Sequence, residues 1–99
     1  MAVKKHPIET NNAPQAVGSY SQAIRSSDWL FLSGQIALDP VRGTMVGESA
    51  VAQTEQIMKN LQVVLEAAGG DFSHLLKVTI YLVDLDTFQE VDSIYSRYL

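Results

Sequence analysis

Two short polar runs hold most of this chain's capacity for chemistry: Gly18-Ser19-Tyr20-Ser21-Gln22 and Ser33-Gly34-Gln35. A glycine such as Gly34, inside a segment of strand character, marks close approach by a ligand or by another backbone. A bulge or tight local packing calls for the same residue, and both readings stay open at this point. His74 is the one imidazole outside the N-terminal stretch. It falls in a turn, where bonding to nearby backbone is the expectation rather than service as a base. Gly69-Gly70 could cradle an anion only at the start of a helix, and they stand at the end of one, where the dipole has the wrong sign. No G-x-S-x-G, H-E-x-x-H, G-x-G-x-x-G or P-loop pattern occurs, which removes the common hydrolase, zinc-protease and nucleotide sites.

The elements that must position these residues follow from hydrophobic spacing. Residues 1 to 18 carry Pro7, Asn11, Asn12, Pro14 and Gly18 and read as extended or irregular chain. A first strand is expected from Tyr20 to about Arg25, and Ser26, Ser27 and Asp28 form a polar tip. A second strand is expected from Trp29 to Ile36, with a hairpin between the two. In the second strand Leu30, Leu32, Gly34 and Ile36 share one face, and Trp29, Phe31, Ser33 and Gln35 the other. Apolar residues on both faces suit a sheet covered on each side. Asp39, Pro40 and Gly43 mark a turn, and Thr44 to Val46 a short further strand.

From Ser49 to Ala68 the period becomes helical, with Ala50, Thr54, Ile57, Leu61, Val64 and Ala68 on one stripe. Ser49 is the expected N-cap and Gly69 the left-handed stop. Leu75 to Val83 reads as a central strand. Asp86, with Gln89 three residues on, predicts a capping box for a second amphipathic helix carrying Phe88, Val91 and Tyr95. The order strand, strand, helix, strand, helix calls for a closing strand, so the expectation is one domain over 1–99 that lacks its C-terminal piece.

The composition narrows the partners. Seven Lys+Arg against eleven Asp+Glu leave a net charge of −4. The field therefore repels phosphate backbones, and Lys4, Lys5 and His6 read as a solvated tail. Nucleic acid is disfavoured as a partner. No apolar run approaches the roughly 20 residues of a membrane span, and no signal-peptide pattern is present, so the expectation is no membrane partner and a cytoplasmic location. With no cysteine and two histidines, neither a disulfide nor a structural zinc can brace a chain of 99 residues, and oligomerisation is the natural supplement.

The residues also carry a family resemblance. Gly18-Ser19-Tyr20-Ser21-Gln22-Ala23, Ser33-Gly34-Gln35-Ile36, Asp39-Pro40 with Gly43, Asn60-Leu61, Ala67-Ala68-Gly69 and Val78-Thr79-Ile80-Tyr81-Leu82, followed by Asp84-Leu85 and Phe88, resemble the RidA/YjgF family from about residue 7 onward. The resemblance implies an α+β, chorismate-mutase-like fold, a sheet with two helices on one face. It implies a homotrimer whose sheets form a barrel-like centre, and sites in clefts between subunits. The implied reaction, which uses no cofactor and no metal, is hydrolysis of 2-iminobutanoate or 2-iminopropanoate to a 2-oxo acid and ammonia.

Within that resemblance Tyr20, Ser33, Gly34 and Gln35 match positions lining the substrate cleft, Tyr20 orienting the substrate by ring and hydroxyl. Asp92, also among the implied substrate-binding positions, stands where many members carry Asn and would set a negative charge near a site for an anionic substrate, unfavourable unless the carboxyl is paired, and Ser19 stands where Pro is usual. In the family an Arg beyond the second helix holds the substrate carboxylate and a Glu on the last strand assists the water. Both positions fall after Leu99, and Arg25, Arg42 and Arg97 do not match that Arg. The catalytic pair is thus not assigned within these residues. Three readings follow: an imine deaminase, an inactive short form that acts as a binding partner, and an endoribonuclease or translation-inhibitor relative.

Overall fold

A computed structural model describes residues 4–99. Three short strands, β1 (His6–Ile8), β2 (Ala23–Ser26) and β3 (Trp29–Leu32), form an antiparallel sheet with β2 in the middle. Two helices follow, α1 (Ala50–Ala67) and α2 (Phe88–Tyr95), giving an α+β architecture. The expectation for residues 1–3 lies outside the described residues.

The β2–β3 hairpin turns where the polar tip predicts it. Ser26 pairs with Trp29, leaving Ser27 and Asp28 as a two-residue loop, with Ser27 at φ 55°. Both strands are shorter than expected, because the ladder ends at Ala23↔Leu32. The N-terminal stretch expected to be extended or irregular holds an edge strand, β1, pairing His6 with Arg25 and Ile8 with Ala23. Its Pro7 is tolerated because an edge strand has a side that needs no N–H donor.

Pairing puts Ile8, Ala23, Leu30 and Leu32 on one face, and that face meets Val63 and Val64 of α1 over the buried Ala13. The opposite face carries Ile24, Trp29 and Phe31, and the last two are 57% and 65% exposed. The prediction of a sheet covered on each side therefore holds for one face only within this chain.

α1 has the ends its sequence predicts. The Ser49 hydroxyl accepts from the Ala52 N–H at 3.1 Å, satisfying a first-turn donor. At the other end Gly69 adopts φ +82°, its N–H donates to Glu66 O, and the Gly70 N–H donates to Leu65 O. This pair of bonds is a Schellman closure. The Arg25 guanidinium donates to the Ala68 carbonyl, placing a cation at the negative end of α1 and tying β2 to it. Burial centres on Met58, Asn60, Val64, Leu65 and Ala68, so the helix is covered more broadly than the predicted stripe. The added coverage comes with α2, which packs on α1 and buries Val91 and Ile94.

Three expectations need correction. Thr44 to Val46 contributes a single bridge, Leu38↔Met45, rather than a strand. The Asp86 capping box is absent: Asp84 accepts from the Asp86 N–H at 2.9 Å and starts a single 3-10 turn, Leu85–Thr87, before α2 begins at Phe88. Leu75 to Val83 belongs to no strand among the described residues, and Leu76, Val78, Ile80, Tyr81 and Val83 are exposed. A strand needs a neighbour for its ladder, and neither edge of the three-stranded sheet takes up this segment.

Candidate functional site

The two polar runs do meet. Beyond the last ladder pair the Ser33 N–H donates to Gln22 O at 3.0 Å, and the Ser33 hydroxyl donates to Ser21 O at 2.5 Å. Ser21 and Gln22 are therefore tied to Ser33 across the frayed end of the hairpin, and with Tyr20 and Gly34, the next residues out on each segment, they make up the region termed the mouth. The Ser33 proton is committed to Ser21 O, so the oxygen's lone pairs are what it offers a ligand. Tyr20 is 52% exposed, and its ring lies about 4.0 Å from where a Cβ on Gly18 would stand. Gly18 itself adopts φ +111°, a conformation that L side chains rarely take.

Gly34 resolves one of the open alternatives. A Cβ built on it meets nothing within 4 Å, and its φ is not in the left-handed region. Neither tight packing nor a bulge within this chain demands the glycine, and the space before it is open to a ligand or a second backbone. Gln35 is half-buried beside it.

Asp92 is not brought into hydrogen bonding with this mouth. It lies exposed on α2, and among the described residues its carboxylate takes part in no hydrogen bond or ion pair. Two arginines are committed elsewhere, Arg25 to the end of α1 and Arg97 to Glu55 at 3.4 Å. Arg42 sits in the exposed turn where the Asp39 carboxylate accepts the N–H groups of Val41 and Arg42, both at 2.8 Å. Those two bonds, that of Arg42 first, hold Asp39 below the usual carboxylate range. The mouth is thus a neutral set of hydroxyl, carboxamide and backbone groups, able to orient a small polar molecule but carrying no cation.

His74 has the role expected of it. Its Nδ1 accepts from the Asp71 N–H at 3.1 Å while Asp71 accepts from the Ser73 N–H at 2.8 Å, a reciprocal cap on the single turn Phe72–His74. A shallow groove of about 300 Å³ beside that turn, walled by Leu75, Val78, Tyr95 and Leu99, is mostly apolar and holds none of the predicted site residues.

Gln22, a member of the first polar run, has a buried structural role that its place in the sequence does not specify. Gln22 is 3% exposed, and its carboxamide is fully engaged: Oε1 accepts from the Thr10 N–H at 2.7 Å, and Nε2 donates to Thr10 O at 3.0 Å and Pro14 O at 2.8 Å. Asn60 does a similar service on α1, donating to Leu38 O at 3.0 Å and accepting from Gln56 at 2.9 Å. Both are amides inside apolar surroundings, a combination whose signal in a sequence is only a polar residue next to core positions.

Comparison with known proteins agrees with the α+β fold. The family model for endoribonuclease L-PSP matches residues 10–99. The chain is 46% identical over 97 residues to Reactive Intermediate Deaminase A, chloroplastic, of Arabidopsis thaliana, covering 98% of this chain and 52% of that protein. It is 42% identical over 91 residues to the 2-iminobutanoate/2-iminopropanoate deaminase of Mus musculus, covering 92% of this chain and 67% of that one. It thus spans about half the length of the first relative and two thirds of the second. Among solved structures, YyfA of Yersinia pestis, described as a protein of unknown function of the conserved Rid family, superimposes with a TM-score of 0.93 at 40% identity, covering 96% of this chain and 75% of its own. With the family model spanning all but the first residues and the fold shared at that level, this chain belongs to the endoribonuclease L-PSP family, the RidA/YjgF group that its polar runs resemble.

Proposed function

We propose that this chain serves the hydrolytic deamination of reactive 2-imino acids, with 2-iminobutanoate and 2-iminopropanoate as substrates and a 2-oxo acid and ammonia as products. The observation that carries this reading is its identity to relatives named as deaminases, 46% with the Arabidopsis protein and 42% with the mouse one, over almost all of the chain. The mouth supports it chemically. Water adds to the C=N carbon, the nitrogen takes up protons, and the carbinolamine expels ammonia as the carbonyl forms. The mouth's neutral hydrogen-bonding groups suit polarising the C=N bond and positioning a water, while the cation for the substrate carboxylate is not among them.

In this proposal Tyr20 orients the substrate, the Ser33 oxygen accepts from its N–H or from the attacking water, and the open face at Gly34 with Gln35 admits it. Asp92 enters only as a nearby negative charge whose effect on an anionic substrate is unfavourable. Residues 1–99 act as one domain of the family, and copies of the chain associate as a homotrimer, covering the exposed Trp29–Phe31 face. Family membership does not assign the compartment, since the Arabidopsis relative is named chloroplastic. Among the described residues no helix is long and apolar enough to cross a membrane.

The test is to generate 2-iminobutanoate in place from threonine with a pyridoxal-phosphate dehydratase and to follow 2-oxobutanoate. The expected result is a rate that rises in proportion to added protein and falls with Tyr20→Ala. No acceleration by a folded protein would favour the binding-partner reading instead. The description of the family model as an endoribonuclease keeps one further reading in view. It predicts RNA cleavage by the purified protein, which the net charge of −4 opposes.

A further inference from the structure

Strand pairing stops at Ala23 and Leu32, so the sheet does not hold the residues of the mouth. What holds them passes through Gln22. Its backbone carbonyl accepts the Ser33 N–H, and the neighbouring Ser21 carbonyl accepts the Ser33 hydroxyl. Its side chain grips Thr10 and Pro14, in a loop whose Ala13 is fully buried against Ala23 and Val64. The carboxamide can be seated only one way round, because exchanging its ends would set an NH₂ against the Thr10 N–H. A buried, fully satisfied amide of this kind is rigid, and truncating it leaves the Thr10 N–H without a partner.

We propose that Gln22 is a positioning residue of the candidate site: it locks the 20–22 segment against the 10–14 loop and thereby sets the spacing between Tyr20 and Ser33. Gln22 touches no substrate. Its effect on turnover rests on the deaminase reading above, whereas its effect on the geometry of the mouth does not.

Two variants test this, Gln22→Met, which keeps the volume and removes every hydrogen bond, and Gln22→Asn, which keeps the amide and shortens its reach. Gly47→Ala, just ahead of the α1 N-cap and not among the residues of the mouth, serves as a destabilised control. Each is assayed for 2-iminobutanoate hydrolysis at a temperature where it stays folded, and the amide spectrum and hydrogen exchange of Ser33 and Gly34 are recorded alongside. The expected result is a fall in kcat of about tenfold to a hundredfold with a smaller change in KM, since misplacement of about 1 Å costs on that order. Ser33 and Gly34 amide signals should shift and Ser33 exchange should quicken, while the control shows neither effect. Spectral changes confined to residues 10–14, with turnover per folded molecule unchanged, would overturn the proposal, as would an equal loss of turnover in Gly47→Ala. A wild-type protein without turnover would defeat the deaminase reading alone, and the Ser33 and Gly34 signals would then decide the positioning role.

Discussion

Single residues in this molecule act mainly by satisfying backbone groups that would otherwise be stranded. Asn60 is the clearest case on α1, 1% exposed and bonded to the 36–38 segment and to Gln56. Asn60→Ala is expected to cost about 1–3 kcal/mol, the usual penalty for orphaning buried partners, measured as a lower midpoint in urea with an unchanged m-value. Gly47 acts through its backbone. It holds φ +75°, and a Cβ there would stand 2.5 Å from that of Ala52 in the first turn of α1. Gly47→Ala therefore combines left-handed strain with a clash, and a loss of about 2–3 kcal/mol is expected by chemical denaturation. Ser27 presents the opposite case, a non-glycine residue at φ 55° in the hairpin loop. Ser27→Gly relieves that conformation and is expected to leave stability unchanged or raise it by up to about 1 kcal/mol.

At the scale of elements, stability rests on how the ends of α1 are tied to the rest of the fold. Its C-terminal carbonyl meets Arg25 of β2, and its flank meets the last turn of the chain, where the Tyr98 hydroxyl donates to Glu55 at 2.8 Å. Burial first, and then the Glu55 hydrogen bond and charge, push the Tyr98 phenol above its ordinary value of 10.0. A raised folded-state value means that the contribution is complete below about pH 10 and is lost as pH rises from there through the folded value. Thermal melts between pH 9 and 12 should therefore show an alkaline decline that Tyr98→Phe reduces, with the tyrosinate absorbance of that one residue appearing late in the wild type. On the acid side Asp39 and Asp71 have the reverse sign. Backbone N–H donors lower Asp39, and the Ser73 hydroxyl and N–H lower Asp71. Their contribution is present above the ordinary carboxylate range and fades as pH falls through the lowered values. Both groups face solvent, so that loss is small.

For the whole molecule the surface is the telling quantity. The isolated chain exposes 7292 Å², against roughly 5,600 Å² expected for a compact monomer of its mass. Trp29, Phe31 and the 75–83 segment contribute to that exposure, and Tyr81 is 92% exposed. Apolar surface of that extent is the signature of an interaction face. Sedimentation equilibrium is expected to return about three times 10.9 kDa, in line with the proposed homotrimer. Phe31→Lys should shift that mass downward without removing the far-ultraviolet helix signal, and a wild type sedimenting at a single chain mass would count against assembly.

What could be read in advance and what could not divide along the range of the interactions. The α1 boundaries, its Ser49 cap and Gly69 stop, the Ser27-Asp28 hairpin tip and the bonding of His74 to nearby backbone were accessible from local spacing, because each depends on residues within a few positions of one another, while the family came from the resemblance of motifs ordered along the chain. The edge strand β1, the unpaired state of Leu75 to Val83 and the exposure of one sheet face were not, since ladders join segments far apart in the chain and apolar alternation does not name a partner. The same division runs through the candidate site. Tyr20, Ser33, Gly34 and Gln35 could be picked out as residues, yet the tie of Ser33 to Ser21 and Gln22 and the burial of the Gln22 amide came from the fold. A buried carboxamide is recognised by the carbonyls it reaches, and those carbonyls, 8 and 12 residues away at Pro14 and Thr10, are brought within range only when the chain has closed around it.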